Sequence, residues 1–228
     1  MASYRRRFWT LFGVETLRPQ DTQNQNMALS IPIAHDFICP WCWVGLLQAR
    51  KLQAEFGVGI DWVGYELFPP ELEWPDYPAA PEPPANKPVT PSRFEFLLYA
   101  DGLELPKSER PKKMRTYNAH QAVEYAKTEG VADEVIEILY RAYWEEGKEI
   151  NNPAIILELL QGTIKDLEAL QVAIETRQFQ HNIVGFDEPA YDSGVYNVPT
   201  FFIGGQRYAE QPYTALQKAV SATLVPQP

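Results

Sequence analysis

IPIAHDFICPWCWVG, residues 31–45, decides how this chain folds. Its first part, Ile31 to Phe37, is short, largely apolar and poor in breakers, the pattern of a buried strand. Pro40 suits the first turn of a helix. From Trp41 to Phe56, apolar residues recur at Val44, Leu46, Leu47, Leu52 and Phe56 on a helical rhythm. Cys39 therefore falls at a strand-to-helix junction. The free N–H groups and the dipole of a helix start favour negative charge on a sulfur placed there. Cys42, one turn further on, lies on the same side of the helix, within reach of a mixed disulfide formed at Cys39.

Cys39 and Cys42 are the only cysteines of 228 residues. Their spacing is that of dithiol/disulfide exchange, with Cys39 the expected nucleophile and Cys42 the resolving thiol. Two plainer readings stand beside this one. A CxxC that binds metal usually finds two more ligands, but His35, His120 and His181 are scattered and no second cysteine pair exists. Two cysteines can also serve as small apolar filler.

Composition narrows the class. A hydrophobic fraction of 45% and an aromatic fraction of 13% suffice for one full core or two joined subdomains. A net charge of −10 disfavours nucleic acid and anionic membrane as partners, and Arg5-Arg6-Arg7 is too short a basic run to offset it. No apolar stretch approaches the roughly 20 residues that cross a bilayer. The expected partner is a disulfide-containing protein or a small thiol, with no bound cofactor or metal. Arg5-Arg6-Arg7-Phe8 has the flavour of an export signal, but the apolar run after it ends at Glu15. The cytoplasm is expected, and residues 1–29 read as a flexible extension.

Val58 to Phe68 alternates and reads as a second strand, which completes a βαβ unit of parallel strands. The prolines of Pro69–Pro91 predict an extended loop, a lid or groove wall. From Ser92 to about Gly162 the pattern predicts an uninterrupted helical block, one helix of which includes Met114 and Tyr117. Asn152 and Asp166 are expected helix caps, the latter for a helix to about Arg177. Strand TFFI (200–203), a Gly204-Gly205 turn, a strand Gln206–Ala209 and a helix from Tyr213 to about Thr223 close the chain.

HDFICPWCWVG, RTYNAHQAVEYAKTEG, LYRAYWEEGKEIN and NVPTFFIGG together resemble the DsbA-like thioredoxin superfamily, most closely its FrnE-like branch of dithiol–disulfide isomerases, over residues 31–222. That resemblance implies an α/β, thioredoxin-like fold with a helical insertion. Its parts would be a thioredoxin-like first part at 30–90, an insertion at 91–177 and a second part at 178–228. It also implies a cis peptide bond before Pro199, facing the cysteines, and a Val198 backbone that hydrogen-bonds an extended substrate. Asn197 stands where many relatives have glycine, and Tyr208-Ala209-Glu210-Gln211 replaces a common Ser-Gly-Ala-Gln-like stretch.

Pro40 and Trp41, between the thiols, are candidate substrate contacts, Trp41 being expected exposed. His35 and Asp36 are candidate proton carriers. Strand alternation would put them on opposite faces, so at most one would point toward the sulfurs. Trp43, Tyr117, Tyr125, Tyr140 and Tyr143 fit helix faces and are expected in the core, and His120 and His181 to pack or cap. The implied activity is thiol–disulfide oxidoreduction or isomerisation. A glutathione-dependent transferase or isomerase of the kappa or 2-hydroxychromene-2-carboxylate type shares the fold, but those relatives generally carry serine where Cys39 stands. A noncatalytic, chaperone-like peptide-binding module is a third reading.

Overall fold

The structure, a computed structural model, describes residues 29–74, 90–185 and 194–225. Strand β1 (Ser30–His35) lies at the middle of a five-stranded sheet. It pairs in parallel with β2 (Gly59–Glu66), Ile33 opposite Trp62, and antiparallel with β4 (Thr200–Ile203), Ile33 opposite Phe201. The two-residue β3 (Val184–Gly185) extends β2, and β5 (Gln206–Ala209) extends β4. A strand with neighbours on both sides is buried along most of its length, and only Ser30 at its start is exposed. Ile31, Ile33 and Ala34 are accordingly fully enclosed. The β4–β5 hairpin turns at Gly204 and Gly205, both with positive φ, the backbone of a type I′ turn that glycine adopts without strain.

Helix α1 (Pro40–Phe56) follows β1 directly and stops at Gly57, whose left-handed backbone lets its N–H close on the Gln53 carbonyl. Between β2 and β3 run α2 (Arg93–Asp101), α3 (Tyr117–Glu129), α4 (Ala132–Trp144), α5 (Pro153–Leu159) and α6 (Leu167–Glu175). The last helix, α7 (Tyr213–Leu224), packs on β4 and α1. Ser92 caps α2 in a capping box with Glu95, Asn152 caps α5 and Asp166 caps α6, each side chain accepting a free N–H of the first turn. Arg50 ties α1 to α4 through Asp133 (2.7 Å) and Glu137 (2.6 Å), and the Trp62 indole donates to Asp133 as well.

The helical block is interrupted, contrary to expectation: residues 103–116 are irregular. Pro106 and Pro111 remove N–H donors that a helix needs. The segment is held instead by the Ser108 hydroxyl on the Trp144 carbonyl and by the Arg110 guanidinium on the Trp144 ring. Met114 is thus buried in this irregular stretch and not in a helix. β1 and β2 each stop two residues short of the predicted ends, at His35 and Glu66. Of the proline-rich loop, 75–89 lies outside the described residues, as do residues 1–28; Arg115 fastens its first turn by donating to the Phe68, Pro69 and Leu72 carbonyls.

Candidate active site

Cys39 is the N-cap of α1, immediately before Pro40. Its carbonyl accepts from the N–H groups of Cys42 (3.0 Å) and Trp43 (3.2 Å). No side chain caps the helix and no acidic residue stands in its first turn, so the partial positive charge of the helix start is uncompensated beside Cys39. Both cysteines are free thiols. Cys39 is 7% exposed and its thiol donates to the Val198 carbonyl at 3.4 Å; Cys42 is 1% exposed and its sulfur accepts from the Asp36 N–H at 3.5 Å. Burial, and then the neighbouring Cys39 thiol, push the Cys42 thiol well above the ordinary cysteine range. The two sulfurs are therefore unequal: one at the rim, one inside and protonated.

The Val198–Pro199 peptide bond is cis, and both residues are buried against α1. Gly45, one turn past Cys42, makes the close approach possible. A Cβ there would come within 3.0 Å of the Pro199 Cβ and 3.1 Å of its Cγ. Cys39, Cys42, Val198 and Pro199 are thus brought together, with Pro40 half-buried beside them. Trp41 is half-buried and not exposed as expected: the Phe94 ring lies 4.8 Å from it and the Arg93 guanidinium 5.7 Å, so the first turn of α2 covers it. Arg93 is in turn paired with Glu210 at 3.1 Å.

Beneath the thiols lies a buried polar group of four elements. Asp36, fully buried, accepts from the N–H groups of Leu67 (2.8 Å) and Ile38 (3.4 Å), with His120 Nε2 at 3.8 Å from its Oδ1. The His35 ring packs edge-on to His120 at 5.2 Å and its Nδ1 is 3.0 Å from the Tyr140 hydroxyl. β1 ends at His35, so alternation does not extend to Asp36, and both side chains meet the same histidine rather than opposite faces. Glu66, also buried, accepts from the Thr116 N–H at 3.2 Å, and burial raises its carboxyl above the usual range. Neither nitrogen of His120 has a hydrogen-bond partner among the described residues.

Burial, with His120 and Lys127 adding repulsion, holds the His35 imidazole well below the ordinary histidine range. In the unfolded chain it takes up a proton as pH falls through about 6.5, while in the fold it stays neutral, so stability falls with pH below that point. The expected slope from this residue is up to about 1.4 kcal/mol per pH unit. The raised Glu66 acts in the opposite sense, and because it is common to wild type and the His35 variant it drops out of their difference. Chemical denaturation of wild type and His35→Gln between pH 7 and 5 checks this, and parallel stability profiles of the two proteins would refute it.

Reading residue types along the chain did not reveal Gly45, His120, Glu66 or the Tyr140 hydroxyl as parts of this site. Tyr140 and Tyr143 are core, as expected; Tyr117 and Tyr125 are only half-buried, the Arg177 guanidinium lying over the Tyr117 ring and Tyr125 donating to the Asp166 carbonyl. His181 is exposed in a short 3-10 turn (Gln180–Asn182) and neither packs nor caps.

A curated relative, the uncharacterized protein YwbO of Bacillus subtilis (strain 168), is 24% identical over 186 residues, which cover 78% of this chain and 88% of YwbO. The cytosolic disulfide reductase DsbM of Pseudomonas aeruginosa superposes with a TM-score of 0.56 at 16% identity, over 85% of this chain and all of DsbM. DsbM is also known in a structure with GSH. A 2-hydroxychromene-2-carboxylate isomerase superposes with a TM-score of 0.54 at 17% identity, over 85% of this chain and 94% of its own. At such identities these structures share the fold. The family profile of the DSBA-like thioredoxin domain matches residues 31–221, and the chain belongs to that family.

Proposed function

We propose that the protein exchanges disulfides with a protein or small-thiol substrate, Cys39 attacking and Cys42 resolving, without a bound cofactor. The observation that supports this best is the unequal pair: a rim thiol at an uncapped helix start, hydrogen-bonded to Val198, and an enclosed thiol one turn later. The Val198–Pro199 segment and Trp41 would line the substrate groove, with Pro40 at its floor. Glutathione is a reasonable small thiol, because DsbM shares the fold and binds GSH. The fold of the 2-hydroxychromene-2-carboxylate isomerase keeps a glutathione-dependent isomerase as the second reading; a cysteine at position 39 and a second at 42 favour exchange. Among the described residues no helix is long and apolar enough to cross a membrane, and the cytoplasmic placement is part of this proposal.

Cys42→Ser carries the test, because the attacking thiol survives while the resolving one is gone. With oxidised glutathione or a disulfide-bonded peptide, the variant is expected to accumulate one covalent adduct per chain, mapped to Cys39 and released by dithiothreitol. Wild type should accumulate little. A reactive Cys39 that forms no such adduct would turn the reading toward the isomerase, which conjugation of glutathione to a model electrophile would then detect.

A further inference from the structure

Resolution requires that an enclosed thiol become a thiolate, since the thiolate is the nucleophile. The Cys42 sulfur accepts from the Asp36 N–H at 3.5 Å, and the hydroxyl of fully buried Tyr140, from α4, reaches the carbonyl of the same Asp36. That hydroxyl lies 3.2 Å from the Asp36 carbonyl and 3.0 Å from His35 Nδ1. A carbonyl only accepts, and a hydroxyl carries one proton. The Tyr140 proton therefore goes to Asp36, and His35 Nδ1–H must donate to the Tyr140 oxygen. His35 Nε2 is then the bare nitrogen, buried and unpartnered among the described residues. The oxygen is held by His35, and its proton can turn about the phenol C–O bond away from the Asp36 carbonyl.

We propose that Tyr140 is a catalytic residue of the resolving step, its hydroxyl turning from the Asp36 carbonyl to the Cys42 sulfur as that sulfur becomes a thiolate, with His35 positioning it. This rests on the exchange reading above. The Cys42 thiolate attacks the Cys39 sulfur of the mixed disulfide; the Cys39–Cys42 bond forms and the bond to the substrate sulfur breaks. The cysteine pair loses two electrons, the substrate disulfide gains them, and the proton given up by Cys42 ends on the departing substrate thiol. Tyr140 keeps its own proton throughout: burial and the nearby Cys42, Cys39 and Asp36 hold its phenol well above the ordinary range. A hydroxyl that donates to an anion makes a stronger bond than one that donates to a carbonyl, so the contact is worth most when the thiolate exists.

Other charges reach the same spot. Asp36 and His35 face it from β1 and the turn after it, Cys39 from α1, His120 and Lys127 act on His35 from α3, and Glu66 acts on Asp36 and His120 from β2. They are common to wild type and variant, so their difference isolates Tyr140. The probe is 5,5′-dithiobis(2-nitrobenzoate) with the reduced full chain in stopped flow. Attack by Cys39 releases a first thionitrobenzoate in a phase that depends on reagent concentration; resolution by Cys42 releases a second in a phase that does not.

In Tyr140→Phe the first phase is expected to stay within about twofold, since the Cys39 thiol keeps its hydrogen bond to the Val198 carbonyl and its place at the helix start. The second is expected to slow about tenfold, with its pH midpoint raised by about one unit, the equivalent of one lost charge-assisted contact. His35→Gln, which keeps the phenol but loosens its oxygen, is expected to slow the second phase alone, and decides the matter if Tyr140→Phe does not fold. A second phase with wild-type rate and pH midpoint overturns the proposal, and so does an equal loss in both phases. A wild-type protein that releases only one equivalent would instead refute Cys42 as the resolving thiol, which is a different failure.

Discussion

Cys39→Ser is expected to abolish catalysed disulfide reduction, leaving insulin turbidity at the rate that dithiothreitol gives alone. Serine is the closest isostere, and its hydroxyl can donate to the Val198 carbonyl as the thiol does, so the fold should survive. What disappears is the nucleophile, because a serine hydroxyl beside no activating base is not ionised at neutral pH. Cys42 cannot stand in for it: at 1% exposure, with its proton held by burial, it neither meets a bulky disulfide nor presents a thiolate. Thermal melting should therefore match wild type within about 2 °C, under 1 kcal/mol for a chain of this size, while turnover vanishes. Residual activity above about a tenth of wild type, one factor of ten or 1.4 kcal/mol, would remove Cys39 from the mechanism.

Gly45→Val is expected to lose both stability and activity, and comparison with Gly45→Ala separates the causes. Two effects compete at this position. Replacing a mid-helix glycine by alanine gains up to about 1 kcal/mol of helix propensity. Against it, the new Cβ would sit 3.0 Å from the Pro199 Cβ and 3.1 Å from its Cγ, atoms of a rigid ring in a buried segment, and overpacking of this kind costs about 1–3 kcal/mol. For alanine, whose single Cβ needs its neighbours to give only a few tenths of an ångström, the cost falls at the low end of that range and the two nearly cancel. Valine gains less propensity and adds two methyl groups, so its net loss should approach 3 kcal/mol, a melting temperature lower by roughly 6–12 °C. Both variants must push Val198 and Pro199 away from Cys39, so turnover should fall even in Gly45→Ala, whose stability is nearly normal. Wild-type turnover in Gly45→Ala would show that this spacing does not matter to the reaction.

The elements that carry the cysteines were legible because their signals are local. A short, largely apolar run marks β1, Pro40 marks the helix start, and two glycines with strand on either side mark the β4–β5 turn. The surroundings of the thiols were not, because they come from far along the chain. Tyr140 lies 105 residues from the His35 it bonds, and on its own helix it is one more apolar position on a buried face. Gly45 reads locally as a weak point in a helix, and only residue 199 explains it. Trp41 looks exposed until Arg93 and Phe94 are laid over it. His35 and Asp36 were placed on opposite faces by a strand rule that ceases to apply one residue before it is needed.

The central position of β1 also constrains how the protein comes into being on the ribosome. β1 borders β4 through Ile33 and Phe201, and the Cys39 thiol finds its carbonyl 159 residues downstream, at Val198. During synthesis the first strand, α1 and β2 emerge early, with one edge of β1 bare and the rim thiol facing open solvent. Closing so long a stretch of chain is slow compared with local helix formation. For most of its translation the nascent chain therefore displays an accessible cysteine beside an unpaired apolar strand edge, the state in which a wrong disulfide or edge-to-edge association is most readily formed. A reducing environment during synthesis, or rapid shielding of that edge, is thus as much a requirement of this topology as any residue of the finished site.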